Sequence, residues 1–392
     1  MPVSIPAVQG GLREEGLDGW LLYDFHGSNP IARRLTGLDG GGKMTSRRWY
    51  YLIPASGEPK KLVHAIEPFN LDHLPGGKTI YSQRQTLATG LKQLLDGVKR
   101  IAMEYSPNNA IPYISRVDAG TVEAVRALGI EVVSSGDLVQ RFEAIWSAEA
   151  LQSHRAASDK LYRIKDRAFA FIRDARKAGR RVTEIEVQRA MSEWFQEEGL
   201  ITDSPPVVGA QENAGDPHYM PTDAKHRAIG DNEVVLLDLW GKLPAPDAVF
   251  ADITWVGFTG TQVPEQYVKT FNAARDGRDA AIAFVKDRVA QGEEVRGFEV
   301  DRACRAVVEG AGFGAGFNHR TGHSLGTEVH GNGVHMDDYE THDERRLIPG
   351  TGFTIEPGIY SKEFGVRTEI NMFVAEREAT VTGSLQKEFV LL

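Results

Sequence analysis

The chain has 392 residues, a formal net charge of −9 and 41% hydrophobic side chains, which suits a globular protein of two or three domains. The acidic balance, with no long Lys/Arg run to offset it, argues against a nucleic-acid binder. One cysteine excludes an internal disulfide framework; with no signal-peptide pattern and no apolar run of ~20 residues, a cytoplasmic protein without a membrane span is expected.

Residues 17–24 (LDGWLLYD) and 49–54 (WYYLIP) read as strands. LATGLKQLLDG has helical spacing, RIAMEY is a short strand, AGTVEAVRALG is a helix closing on glycine, and GIEVVSSGDLV returns to strand. This alternation predicts an α/β domain over residues 1–150. From Ser147 to Lys177 the pattern becomes one long amphipathic helix. A second follows, in which Thr183 and Glu186 have capping-box spacing. Strands broken by Gly and Pro come next, so a second domain of different architecture is expected over 151–392. Cys304 lies in the helical stretch VDRACRAVVEGAG and reads as a packed thiol.

Five ionisable residues then stand inside apolar strand or Gly-rich turn sequence: Asp238 in VVLLDLW, Asp252 in FADITWV, His323 in HRTGHSLG, Glu356 in FTIEPGIY and Glu369 in VRTEINMFV. Burying an ionised carboxylate costs several kcal/mol unless a cation or a proton compensates it. A hairpin across GKLPAPDAV would bring Asp238 and Asp252 together, and the EFG turn at 363–365 would do the same for Glu356 and Glu369. Singly, a strand Asp reads as a salt-bridge residue and His323 as a satisfied core histidine. Five such coincidences in one half of the chain favour a metal site. Four carboxylates and one imidazole suit two hard or borderline divalent ions ~3.5–4 Å apart, machinery for amide or ester hydrolysis.

The ordered blocks NAGDPHY (213–219), GDNEVVLLDLWG (230–241), FADITWVG (250–257), HRTGHSLGTEVH (319–330), GTGFTIEPGIY (350–360) and GVRTEINM (365–372) resemble the pita-bread metallopeptidases, in particular the prolidase and aminopeptidase P branch. The resemblance implies an α/β N-terminal domain of the creatinase/prolidase type followed by an α+β pita-bread catalytic domain. It implies that Asp238 chelates one metal, that Asp252 and Glu369 bridge two, and that His323 and Glu356 complete the second site. Manganese is expected ahead of cobalt or zinc. By the same resemblance His218 and His330 line the substrate pocket, His330 taking a catalytic part by stabilising the oxyanion, while a metal-bridging hydroxide attacks and Glu356 shuttles the proton. Arg367 would bind substrate or grip a ligand carboxylate; His319 is not assigned to the site.

Three departures from the family pattern stand out. Trp255 replaces an arginine expected to support the ligands, Val249 replaces a tyrosine, and the loop between the two Asp residues is long. The front domain favours cleavage of Xaa-Pro bonds in dipeptides (a prolidase) by a homodimer. An aminopeptidase P acting on longer peptides is the alternative. A catalytically inactive binding protein on the same fold is the alternative of another class, and a metal-independent amidinohydrolase like creatinase is an outsider. GLDGGGKM (37–44) mimics a phosphate loop but has Met44 where Ser/Thr must bind Mg²⁺. HMDDYETHDE (335–344) reads as a solvated loop near the active-site mouth.

Overall fold

The computed structural model describes residues 2–39 and 45–392, so most of the GLDGGGKM segment lies outside the described residues. The chain forms two compact units, Met1–Phe142 and Glu143–Leu392. The division precedes residue 150 because Trp146 packs with Ala150, Phe250 and Leu325 and donates its indole N–H to the Leu325 carbonyl at 3.1 Å.

The first unit contains α1 (Ile5–Glu14), β1 (Gly19–Asp24), α2 (Pro30–Thr36), β2 (Trp49–Pro54), β3 (Lys60–His64), β4 (Gly77–Tyr81), α3 (Arg84–Leu94), β5 (Arg100–Met103), α4 (Ala119–Arg126), β6 (Glu131–Ser134) and α5 (Gly136–Glu143). Its strands form one mixed sheet in the order β4-β3-β2-β1-β5-β6. Strand alternation sends Trp20 and Leu22 to one face, against α1, α2 and α5. Leu21 and Tyr23 go to the other, against α3 and α4. The strand expected over 129–139 stops at Ser134. Leu138, Val139 and Phe142 instead form one helical face, and packing that face against the Trp20 side of the sheet overrides the local β propensity of GDLV.

The second unit opens with α6 (Ala148–Lys177), capped by the Ser147 hydroxyl, and α7 (Glu184–Glu197), whose Thr183/Glu186 capping box is present. Then come β7 (Val207–Ala210), β8 (Val234–Gly241), β9 (Ala251–Phe258), α8 (Glu265–Gln291), α9 (Gly297–Gly310), β10 (Ser324–Leu325), β11 (Gly352–Ile355), β12 (Gly358–Tyr360), β13 (Gly365–Arg367), β14 (Ile370–Val374), β15 (Ala379–Val381) and β16 (Val390–Leu391). Two four-stranded sheets, β16-β9-β8-β7 and β10-β11-β14-β15, are joined by the β12-β13 ribbon. Val235, Leu237, Leu239 and Ile253 face α6 and α7. Val234, Leu236, Val256 and Phe258 face the opposite way, into the core shared with α8 and α9. Asp238, Asp252 and Thr254 lie in phase with this inner set, so both acids extend the inner face. Among the described residues no helix is long and apolar enough to cross a membrane.

Candidate metal centre

The β8–β9 hairpin pairs Asp238 with Thr254 and Trp240 with Asp252, which makes the two acids diagonal neighbours. Glu356 follows β11, its N–H donating to the Thr321 carbonyl at 2.7 Å. Glu369 lies between β13 and β14, its N–H donating to the Thr254 carbonyl at 3.2 Å. His323 enters from the segment before β10. A Cβ on the preceding Gly322 would sit 2.0 Å from the Thr354 carbonyl oxygen, so only glycine lets this segment approach β11 closely enough. The Thr354 hydroxyl then accepts the His323 N–H at 2.9 Å and donates to Glu356 Oε1 at 3.2 Å.

Donor atoms of Asp252, His323 and Glu369 lie within 4.8 Å of one another. His323 Nε2 is 3.5 Å from both Asp252 Oδ2 and Glu356 Oε1. That is long for a hydrogen bond, but two ligands each ~2.1 Å from one ion at a tetrahedral angle would stand about 3.4 Å apart. His323 Nδ1 faces the Ser324 carbonyl at 3.1 Å, so Nδ1 carries the proton and Nε2 presents its lone pair to the acids. Asp252 Oδ1 is buried without a hydrogen-bond partner among the described residues. An orphaned carboxylate oxygen beside an imidazole lone pair fits a divalent cation.

The electrostatics agree. Burial pushes Asp252 well above the ordinary carboxylate range, and the charges of Glu369, Asp238 and Glu356 push it the same way. Burial and then Glu356 and Asp238 raise Glu369 likewise. Burial lifts Glu356 to about 7 and raises Asp238 against the pull of Arg367. Burial also drives His323 well below the usual imidazole range and keeps it neutral. These groups repel one another until protons or cations intervene.

Arg367 is buried, with every nitrogen directed inward: Nε to Thr254 Oγ1 at 3.0 Å, Nη1 to the Tyr360 hydroxyl at 2.8 Å and Nη2 to Asp238 Oδ2. The Thr254 hydroxyl in turn donates to Glu369 Oε2 at 2.7 Å. His330 lies edge-on to His323, ring centroids 4.3 Å apart, and is itself exposed. His218 is exposed as well, and among the described residues no hydrogen bond joins its ring to the five.

Sequence reasoning missed Thr254, Tyr360, His319 and Arg320. His319 Nδ1 faces the Arg320 carbonyl at 2.7 Å, so its Nε2 accepts from the Tyr360 hydroxyl at 3.0 Å. The site thus has a buried phenol, from residue 360; Val249 packs into an apolar cluster instead. Arg320 is buried, and its charge bears on His323, His330 and Glu356. Tyr360, four residues after Glu356 in an apolar run, was the one available signal.

Two expectations need correction. Trp255 points away from the acids, into the α6 side of the sheet, where the Lys165 ammonium lies 3.8 Å from its ring centroid. An arginine there would not reach the ligands. Nor is 335–344 a solvated loop: His335, Asp337 and Asp343 are fully buried. Asp337 accepts the N–H groups of Tyr339, Glu340 and Thr341, and Asp343 pairs with Arg345 at 2.6 Å.

The known protein "Uncharacterized peptidase YqhT" of Bacillus subtilis is 28% identical over 385 residues, covering 96% of each chain. An Xaa-Pro dipeptidase of Lactobacillus helveticus is 32% identical over 164 residues, 42% of this chain and 40% of that one. In three dimensions the dipeptidase PepE of Mycobacterium ulcerans superposes with a TM-score of 0.71 at 22% identity, over 99% of this chain and 96% of the other. Such likeness carries the two-part pita-bread architecture. The sequence model of metallopeptidase family M24 matches residues 152–376, which span every strand and acid of the site, and the chain therefore belongs to that family of peptidases.

Proposed function

We propose that this peptidase hydrolyses the Xaa-Pro bond of dipeptides, with two divalent ions held by Asp238, Asp252, His323, Glu356 and Glu369. The observation that carries the reading is the buried acid cluster around His323 Nε2, with Asp252 Oδ1 left unpartnered among the described residues. When bound, such ions would supply Lewis acidity toward a carbonyl and toward water. Glu356 has the most exposed side chain of the five, at 16%. It is placed to take the proton of the attacking water and return it to the proline nitrogen as the C–N bond breaks. The exposed His330 beside His323 is placed to donate to the developing oxyanion.

Arg367, with its donors spent on Asp238, Thr254 and Tyr360, positions Asp238 and does not reach for substrate. We assign His218 to the mouth of the pocket. The Xaa-Pro reading draws on the L. helveticus relative and on the two-part architecture. Manganese as the working ion and a cytoplasmic homodimer complete the proposal. The alternative, an aminopeptidase P, differs only in leaving room beyond proline. A complete donor set speaks against an inactive binding protein.

Proline release from an Xaa-Pro dipeptide and cleavage of an Xaa-Pro pentapeptide, with chelated enzyme and after adding Mn²⁺, Co²⁺ or Zn²⁺, test the proposal. Metal-dependent turnover of the dipeptide alone is expected. Release of the first residue from the pentapeptide would favour the aminopeptidase, and inactivity on both would overturn Xaa-Pro specificity.

A further inference from the structure

Strand β9 bears Asp252 and Thr254, and β8 pairs with only one of its edges. Along the other edge β16 begins only at Gly257. Before that point the edge is completed by single groups from the end of the chain. The Asn371 amide accepts the Asp252 N–H at 3.0 Å and donates to the Asp252 carbonyl at 2.5 Å. The Glu369 N–H reaches the Thr254 carbonyl. The Gln386 amide accepts the Val256 N–H at 3.0 Å and donates to the Val256 carbonyl at 2.7 Å. The spacing between the Asp252 and Glu369 carboxylates is therefore set by three separate bridges and not by a strand ladder.

One buried cation joins the last of these bridges to the residue beside Glu369. Arg278 of α8 is 1% exposed. Its Nη1 donates to the Thr368 hydroxyl at 2.6 Å and to the Gln386 carbonyl at 3.0 Å. Its Nε and Nη2 hold Asp279 Oδ1 at 2.9 and 2.7 Å. Thr368 stands between Arg367 and Glu369, whose side chains both turn to Thr254. Arg278 thus grips the back of the segment whose front faces the metal centre. A guanidinium is costly to bury, and an apolar side chain could fill the same space among helix and sheet. What an apolar residue could not do is donate from one nitrogen to two acceptors 18 residues apart in sequence while the rest of the guanidinium is held by Asp279.

We propose that Arg278 is a positioning residue for the metal centre: by tying Thr368 to Gln386 it fixes the Glu369 carboxylate against β9 at the spacing a shared cation needs. This rests on the metal-centre reading above. Sites of this kind tolerate only about 0.5 Å of misplacement, so loosening the back of the segment should be read at the front.

The test is titration of the metal-free, full-length protein with Co²⁺, followed by visible absorption, and with Mn²⁺, followed by calorimetry. Arg278→Lys and Thr368→Val should each weaken uptake about 10–100-fold and alter the Co²⁺ bands. Thr368→Ser, which keeps the hydroxyl, should match the wild type. The Arg278→Lys/Thr368→Val double variant should be no weaker than the worse single, because both remove one link. If Arg278→Lys fails to fold, the Val and Ser variants at 368 decide alone. A merely structural arginine would lower the melting temperature of the metal-free protein while folded molecules kept wild-type affinity and spectrum, and that result overturns the assignment. Equal behaviour of Thr368→Val and Thr368→Ser overturns it too. Wild-type protein that takes up neither ion would overturn the metal-centre reading, and this assignment with it.

Discussion

The Thr254 hydroxyl donates to Glu369 Oε2 at 2.7 Å, and the same oxygen accepts from Arg367 Nε at 3.0 Å. One neutral group thereby orients an acid and the cation that holds a second acid, Asp238. Thr254→Val keeps the shape and removes the hydroxyl, leaving a buried guanidinium nitrogen and a carboxylate oxygen each short of a partner. The expected result is a fall of about 10–100-fold in metal affinity or activity and a loss of roughly 1–3 kcal/mol in unfolding free energy. Thr254→Ser should recover most of both. Steady-state kinetics against Mn²⁺ concentration and urea unfolding check this, and full activity in Thr254→Val would refute the role.

Asp252 should show stability and function pulling apart. Its neighbours Glu369, Asp238 and Glu356 and its burial all oppose its ionisation. Asp252→Asn removes the repulsion and so should raise the stability of chelated protein by about 1–2 kcal/mol. The same variant should lose the thermal stabilisation that added Mn²⁺ gives the wild type, and its peptidase activity. Glu369→Ala should likewise abolish turnover. Melting curves with chelator and with excess Mn²⁺ read both signs at once. A metal-induced shift equal to that of the wild type would remove Asp252 from the ligand set.

The acids were legible because each breaks an apolar strand, and a charge in such a run needs a reason that local sequence does not supply. The hairpin pairing of Asp238 and Asp252 followed from strand alternation and the Pro/Gly loop between them. Their supports were not legible. Arg278, Asn371 and Gln386 act through single side chains on partners about 100 residues away, and such links leave no spacing signature. Asp337 looked solvated for the converse reason. Its carboxylate satisfies three backbone N–H groups within four residues, a turn device that composition cannot separate from an exposed acidic loop. The strand misread over 135–139 had the same origin, since packing against Trp20 and not propensity makes α5 helical.

Trp255 offers a test of strand phase. If residue 255 faces α6, restoring the family's arginine there gains nothing for the metals. Trp255→Arg would put a guanidinium against the Lys165 ammonium, which is 5% exposed and now lies over the indole. It would lose the cation–π contact and bury a second cation beside the first, at a cost of roughly 3 kcal/mol. Chemical unfolding should record that loss, with Mn²⁺ affinity of the folded fraction unchanged. Tighter Mn²⁺ binding in a stable Trp255→Arg protein would mean that the position reaches the ligands after all.

Glu104, in the first unit, should make stability depend on pH independently of any metal. It is fully buried, and its partners are neutral: Trp20 Nε1 at 2.6 Å and the Ser135 hydroxyl at 3.2 Å on Oε1, with Asn29 Nδ2 at 2.7 Å on Oε2. Burial lifts its carboxyl from 4.5 to about 7, against the opposing effect of those donors. Because the folded value is raised, the folded protein holds more protons than the unfolded chain between these limits, and its stability falls as pH rises through them. Below about 4.5 the group costs nothing by this route, and above 7 the loss is complete, roughly 3 kcal/mol at 1.36 kcal/mol per pKa unit. Glu104→Gln cannot titrate, although one end of its amide must oppose Trp20 or Asn29, so it should be less stable at pH 5. Across pH 5 to 8 the gap between wild type and Glu104→Gln should narrow, and the acids of the metal centre, common to both proteins, cancel in that difference. Urea unfolding of the chelated full-length proteins measures it, and parallel curves over this range would mean that Glu104 is already ionised at pH 5.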